Sequence, residues 1–359
     1  MIFLILLSIA ILFLLNLLLL FSLKRLNSGS KNDSHEVNIS IVIAAKNEEE
    51  NINELINHLR ILDYPPEMFE VILVDDNSTD DTLSKMREQT EFLINFSVFS
   101  TKTSGASGKR EALSLGISNS EYPYILITDA DCRPERNWLK SYSKKFGQGY
   151  DMLFGIAPFF QRKNLVNKIS CFENLRSSVL SFSMASIGLP YTAAARNFGF
   201  SKSTFISLQG YSKTKDTKSG DDDLLVREAV KNKMKIGVVT EPGSFVYSET
   251  KKTFSEYFHQ KARHTQTSFR YLLKHQVILG FWHLMNLAFI FSPLLMVSNP
   301  LFGILLPAKL LIDISVVKSN QKKFSYDFSI VEIIYLQIYY ELLLIIHFLN
   351  ARFADIKWK

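Results

Sequence analysis

Apolar residues in this chain gather at its two ends instead of spreading evenly along it. Residues 2–23 (IFLILLSIAILFLLNLLLLFSL) are apolar apart from two Ser and one Asn. A helical run of about 20 such residues crosses a bilayer core. A cleaved signal peptide has a basic start, a shorter apolar stretch and a small-residue cleavage site. This run has no basic residue before it and ends in Lys24-Arg25, so an uncleaved anchor over 1–26 is expected. Three further apolar stretches, 277–297, 301–317 and 328–349, follow one another near the other end. The second carries Lys309 and Asp313 one turn apart, and the third carries Glu332 and Glu341. Ionisable groups at membrane depth are costly and face a partner or a cavity. These stretches predict transmembrane or interfacial helices over 276–350, with a buried helical hairpin of a soluble protein as the alternative.

Between the ends the pattern changes. Residues 27–36 form a polar linker, and Asn38–Ala45 (NISIVIAA) is a β-branched run that reads as a buried strand. Leu55, Ile56, Leu59 and Leu62 then recur at helical spacing until Tyr64-Pro65-Pro66, with Asn47 expected to cap that helix. Phe69–Val74 (FEVILV) is a second strand. Strand, helix, strand, helix is a βαβ pattern and predicts an α/β domain with a mostly parallel central sheet over 37–265.

Candidate chemistry sits where strands end. Tyr124–Ile127 (YILI) runs straight into Thr128-Asp129-Ala130-Asp131. Alternate residues of an extended segment point the same way, so Asp129 and Asp131 converge beyond the strand, at the carboxyl edge where open α/β sheets bind ligands. Two hard oxygen donors there suit Mg²⁺ or Mn²⁺; an Asp-rich turn is the structural alternative. The second strand ends in Asp75-Asp76, which places carboxylates on the same edge, while Ser78 or Asp80 is read as a cap of the next helix. Ser104-Gly105-Ala106-Ser107-Gly108-Lys109-Arg110 is a small-residue loop before a helix over Glu111–Ile117. Its glycines let backbone approach a phosphate and Lys109 adds charge, although the Gly spacing is not that of a Walker loop. Gly220-Asp221-Asp222-Asp223 opens a helix to about Lys233; three acids exceed what capping requires, and one is a candidate general base. Finally, Phe254–His264 reads as a helix with Gln260 and Arg263 on one face. Lys261 there is expected at lipid headgroups.

Length and charge add limits. The 359 residues allow two domains. A net charge of +6 is modest and lies partly at membrane flanks, so nucleic acid is not an expected partner. Two cysteines, Cys132 and Cys171, give no disulfide framework and fit a reducing compartment. Lys24, Arg25 and Lys31 after the first helix, and Lys318, Lys322 and Lys323 after the third, place the middle of the chain in the cytoplasm by the positive-inside rule. The tail, with Arg352, Lys357 and Lys359, conflicts if the last stretch spans fully, so the final topology stays open.

Taken in order, seven segments resemble the inverting family 2 glycosyltransferases, in the membrane-bound branch with cellulose and hyaluronan synthases. They are Ile41–Glu49 (IVIAAKNEE), Val74–Thr82 (VDDNSTDDT), Gly108–Gly116 (GKREALSLG), Thr128–Asp131 (TDAD), Asn197–Phe200 with Gly210-Tyr211, Gly220–Leu224 (GDDDL) and Gln260–His264 (QKARH).

The resemblance implies a GT-A domain flanked by N- and C-terminal transmembrane helices, at the inner membrane with the catalytic domain cytoplasmic. It implies that Asp76 contacts the nucleoside, with Ala45 and the residues after it, Asn47 and Glu48 among them, near the base. Asp129 and Asp131 would bind diphosphate and divalent metal (Mg²⁺ or Mn²⁺), with Lys109 near the diphosphate or donor sugar. An aspartate of the Asp221–Asp223 run would take the acceptor proton, and Gln260 and Arg263 would line the acceptor channel and steady the leaving diphosphate. The implied partners are a nucleoside-diphosphate sugar, usually a uridine one, a lipid-linked or glycan acceptor, and the bilayer.

Two departures matter. His264 stands where processive members have Trp, which favours transfer of one or a few sugars. The usual Glu-Asp pair reads Gly220-Asp221-Asp222-Asp223, so alignment from the leucine gives Asp221 and alignment of the acids gives Asp222; both stand. Residues 163–195 are read as a core helix of the soluble domain, with Glu173 and Arg176 pairing on its surface, although similar proteins place interfacial helices near this region. A sugar-phosphate nucleotidyltransferase and a catalytically silent membrane scaffold are the rival readings.

Overall fold

A computed structural model describes residues 2–26, 35–103, 108–214 and 220–353. Residues 104–107 of the small-residue loop, Lys31 with most of the linker, Lys357 and Lys359 lie outside the described residues. The chain divides into two compact units, an α/β unit drawn from 29–157 and 192–249 and a helical unit drawn from 1–28, 158–191 and 250–359. Residues 37–265, expected as one domain, therefore contribute to both.

The α/β unit contains nine strands among the described residues: β1 (Ile39–Ala45), β2 (Phe69–Asp75), β3 (Phe96–Ser100), β4 (Tyr124–Ile127), β5 (Cys132–Pro134), β6 (Met152–Gly155), β7 (Phe198–Ser201), β8 (Ile236–Val239) and β9 (Val246–Ser248). Seven form one sheet in the order β3-β2-β1-β4-β7-β6-β8, while β5 and β9 pair separately. Strands β3, β2, β1 and β4 run parallel, as do β6 and β8; β7 alone is antiparallel to its neighbours β4 and β6. Because β1, β2 and β4 are parallel, the residues that leave their carboxyl ends emerge on one edge. Ala45 pairs with Asp75, and Val42 with Ile127.

Burial explains why these segments adopt these forms. Ile39, Ile41, Val42 and Ile43 of β1 are fully buried, as expected of a parallel strand covered on both faces. The helix Ile52–Arg60 turns Ile52, Leu55, Ile56 and Leu59 inward, each side chain contributing about 1.5–3 kcal/mol. Asn47 does not cap this helix. It adopts a left-handed φ of 53°, five residues before the helix starts, and its side-chain oxygen accepts from Thr79 N–H at 2.9 Å. The helix Lys109–Ser118 lies tightly over the sheet, since a Cβ at Gly116 would come within 2.4 Å of Val42 Cγ1.

The helical unit contains Ile2–Leu26, Leu165–Ser186, Phe254–Ser268, Leu273–Ile290, Leu305–Asn320 and Ile330–Phe353, the last three joined by short 3-10 turns. Among the described residues, three segments are long and apolar enough to cross a membrane, Ile5–Lys24, Pro300–Phe324 and Ile330–Phe353. The stretch 277–297 is not among them: its helix stops at Ile290 and gives way to the 3-10 turn Ser292–Val297. Along the first helix Phe3, Leu6, Phe13, Leu14, Leu18 and Phe21 are exposed, a surface suited to lipid.

Leu165–Ser186 packs with the N-terminal helix and with Ile330–Phe353, which corrects its expected place in the soluble domain. Glu173 and Arg176 do not pair with each other either. Both are buried and part ways: Arg176 Nη2 donates to Asp313 Oδ1 at 3.1 Å, whereas Glu173 meets Lys261. Lys309, also buried, donates to Asp313 Oδ2 at 2.6 Å, Asn286 Oδ1 at 2.8 Å and Glu341 Oε1 at 3.3 Å. The two charges that looked anomalous in an apolar stretch thus pair with each other inside the helical unit.

Candidate active site

The site is built outward from the end of β4. After Ile127 the chain turns, closed by Cys132 N–H donating to Asp129 O at 3.2 Å, and Thr128 Oγ1 ties the turn to Arg196 O at 2.8 Å. Carboxylate oxygens of Asp129 and Asp131 and the sulfur of Cys132 all lie within 4.8 Å of one another. Cys132 was not anticipated as a neighbour of the acids; its position directly after Asp131 was the available signal. Burial, and after it the Asp131 and Asp129 carboxylates, push its thiol well above its ordinary range. The two carboxylates are hard oxygen donors and fit a hard divalent cation such as Mg²⁺ or Mn²⁺, for which a soft sulfur is the poorer ligand.

The helix Lys109–Ser118 begins after Gly108, whose φ of 110° favours glycine. Its first residue reaches the acids: Lys109 Nζ lies 2.5 Å from Asp129 Oδ1. Burial disfavours the ammonium, but the Asp129 carboxylate, followed by Asp221 and Asp222, outweighs it and raises the Lys109 pKa. The next residue, Arg110, pairs with Asp221. That partnership also escaped the sequence reading.

Asp221 opens the helix Asp221–Lys231 after Gly220, which has a left-handed φ of 78°. The three acids have different partners. Asp222 Oδ2 accepts from Ala195 N–H at 2.7 Å, while Asp223 Oδ1 accepts from Thr192 Oγ1 at 2.5 Å and Ala193 N–H at 3.2 Å. Removal from water, reinforced by Asp223 and then Asp221, pushes the Asp222 carboxyl well above its usual range. Like charges so close disfavour full ionisation.

On the same sheet edge, Asp75 and Asp76 are both buried. Asp75 Oδ1 accepts from Ser78 N–H at 3.1 Å. Asp76 Oδ1 accepts from Gly108 N–H at 2.8 Å, so this carboxylate fixes the residue before Lys109. Ala45 O accepts from Asp76 N–H at 2.8 Å, and Glu48 Oε2 accepts from the Asn51 side chain at 2.7 Å. Ser78 does not cap the next helix; its hydroxyl accepts from Asn47 N–H at 3.0 Å. Asp80 is not the cap either, since Asp81 holds that position, but its carboxylate accepts from Thr82 N–H, the first of the helix, at 3.1 Å.

Gln260 and Arg263 belong to the helical unit. They share a face of Phe254–Ser268, a helix opened by a capping box between Thr253 and Glu256. Lys261 is not an exposed headgroup contact but an ion-pair partner of Glu173 at 2.9 Å. His264 is exposed.

Comparison with known proteins identifies the class. Residues 124–348 match glycosyl transferase family group 2, and residues 40–185 match glycosyl transferase family 2. The first match covers more than half of the chain, which belongs to glycosyl transferase family group 2.

A β-monoglucosyldiacylglycerol synthase of Nostoc sp. is 32% identical over 127 residues, 35% of this chain and 24% of that protein. Glycosyltransferase AglE of Haloferax volcanii is 30% identical over 122 residues, 34% of this chain and 40% of that protein. The matched stretch thus spans a minority of either relative. A mannosyltransferase of Pyrobaculum calidifontis, solved in complex with GDP-Man and Mn²⁺, superposes with a TM-score of 0.63 over 98% of each chain at 16% identity. That likeness establishes the fold. The α/β unit is a GT-A domain with a mostly parallel central sheet.

Proposed function

We propose that this protein is a membrane-bound, metal-dependent, inverting glycosyltransferase that moves a sugar from a nucleoside diphosphate to a membrane-associated acceptor. The observation that carries this reading is Lys109 Nζ on Asp129 at 2.5 Å. A cation thereby stands among carboxylates from two other segments, Asp129 after β4 and Asp221-Asp222 at a helix start. Membership of the transferase family supports the same reading.

In this account Ala45, Asn47, Glu48 and Asp76 form the edge that receives the nucleoside. Asp129 and Asp131 would hold Mg²⁺ or Mn²⁺, which when bound neutralises charge developing on the diphosphate. Lys109 supplies a second positive charge to that group, a stabilisation realised mostly as the glycosidic bond breaks. Of the two candidate bases, Asp221 is engaged by Arg110, whereas Asp222 meets only a backbone N–H among the bonds named above. Asp222 therefore takes the proton of the acceptor hydroxyl. The oxygen attacks the anomeric carbon as the diphosphate leaves from the opposite face, which inverts that centre. Gln260 and Arg263 are assigned to the acceptor and the leaving diphosphate.

Three apolar helices long enough to span among the described residues support placement in a membrane, read as the inner one. Lys24-Arg25 after the first supports an α/β unit in the cytoplasm. Without a span over 277–297, Lys318, Lys322 and Lys323 follow the second crossing and no longer add to that orientation. The donor is expected to be a uridine nucleotide, and guanosine belongs in the same screen because the structural neighbour binds GDP-Man. The test incubates purified protein with UDP- and GDP-sugars and membrane lipid extract, with product identified by mass spectrometry. A glycosylated product of inverted configuration supports the reading, and pyrophosphate turnover in place of glycosyl transfer defeats it.

A further inference from the structure

In the helical unit the Glu173 carboxylate is a junction of three helices. On Phe254–Ser268, Tyr257 Oη donates to Glu173 Oε2 at 2.7 Å and Lys261 Nζ lies 2.9 Å from the same oxygen. On Ile330–Phe353, His347 Nε2 lies 3.4 Å from Glu173 Oε1 and 3.0 Å from the Tyr257 hydroxyl. Glu173 itself is buried on Leu165–Ser186. Burial alone would raise its pKa, but Lys261 and then His347 hold the carboxyl down to about 2.

The helix so gripped has a narrow buried seam, to which the Tyr257 and Phe258 rings add contacts with His347 at 5.4 and 5.8 Å. Only Tyr257, Ala262 and Thr267 are buried along Phe254–Ser268, so no broad hydrophobic stripe fixes its rotation. Polar bonds add to the ring contacts: the Glu173 junction near its start, and Gln266 Nε2 donating to Ala351 O at 3.0 Å near its end. Tyr257 and Lys261 are one turn apart on one face. Gln260 and Arg263 lie roughly 110° round the helix from them. Whatever fixes the first pair therefore aims the second.

We infer that Glu173 is a positioning residue: through Lys261 and Tyr257 it sets the rotation and register of the helix that carries Gln260 and Arg263. This rests on the glycosyl-transfer reading for the role of Gln260 and Arg263. The clamp itself rests on the bonds alone. Glu173 touches neither donor nor acceptor in this account.

The test uses the full chain in lipid nanodiscs, with Glu173→Gln, Lys261→Met and the double variant. Hydrogen exchange across 257–266 is expected to rise about tenfold in each single variant, because lost tertiary anchorage lowers the cost of local opening. The kcat for sugar transfer is expected to fall about ten- to hundredfold, the cost of a small misplacement of aligned groups. Donor KM and nucleotide-binding stoichiometry should stay at wild-type values; a general loss of folded protein would lower the stoichiometry. The double variant should be no worse than Glu173→Gln, since both changes break one contact.

Unchanged exchange in that helix, losses that multiply in the double variant, or raised exchange with unchanged kcat would each overturn the inference. Should Glu173→Gln fail to fold, Lys261→Met breaks the same contact from its better-exposed partner. A wild-type protein inactive on every nucleotide sugar defeats the transferase reading instead, and the exchange result then decides the clamp alone.

Discussion

Lys109 Nζ lies 2.5 Å from Asp129 Oδ1, joining the first residue of one helix to the turn after β4. The pair is held from below, because Asp76 binds the N–H of Gly108 at 2.8 Å. Removing the charge should cost catalysis far more than stability, since both side chains are partly exposed and such ion pairs contribute little. Lys109→Met is expected to lower kcat by about 10²- to 10³-fold, with the thermal midpoint little changed. Lys109→Arg should recover part of the loss. Steady-state release of nucleoside diphosphate measures both.

The acids at the start of Asp221–Lys231 predict a pH signature. The Asp222 carboxyl is raised above its usual range, and a base works only when deprotonated. Activity should therefore rise with pH through an apparent pKa above about 4, the ordinary carboxylate value. Asp223→Asn removes the nearest like charge, lowers the Asp222 pKa and shifts this acid limb to lower pH. Asp222→Asn should cost about 10²- to 10⁴-fold in kcat, and Asp221→Asn clearly less. Equal losses from both would contradict the choice of Asp222. Profiles of kcat/KM against pH decide the matter.

Glu173 predicts a different pH effect, on stability. Its folded pKa of about 2 lies below the ordinary 4.5, so its contribution is fully present above pH 4.5 and is lost as pH falls from there towards 2. In Glu173→Gln that part of the acid dependence should be missing. Thermal melts of both proteins between pH 2 and pH 6 measure it.

Strand positions were legible because a parallel sheet demands β-branched runs buried on both faces, and Asn38–Ala45 and Tyr124–Ile127 supply them. The acids at strand ends were legible because β1, β2 and β4 share a direction. What sequence could not supply was long-range partnership. Nothing local announces that Arg110 will face Asp221, 111 residues away. Helical spacing gave Glu173 and Arg176 a common face, and that favours a local pair until other helices offer buried partners. Asn47 resembled a cap because its residue type suits one; its left-handed φ and its bond to Thr79 depend on the second strand. Lys309 and Asp313 were visible as an anomaly, while Asn286 and Glu341 became their partners only through packing.

That buried network gives a stability prediction. Lys309→Met leaves Glu341 without its cation and Asp313 with Arg176 alone. Uncompensated charge inside a protein typically costs about 3–5 kcal/mol, so the variant should unfold at a markedly lower temperature in detergent. Combining Lys309→Met with Glu341→Gln, which keeps Asp313 for Arg176, should restore much of the loss. Differential scanning fluorimetry tests both.

The measurement that bears most directly on the whole account is turnover of a nucleotide sugar by the purified chain, with and without Mn²⁺ or Mg²⁺, in wild type and Asp131→Ala. The account predicts nucleoside diphosphate release that needs the cation, stops with chelator, and falls at least about 10²-fold in the variant. Turnover indifferent to chelator, or retained in full by Asp131→Ala, would contradict it.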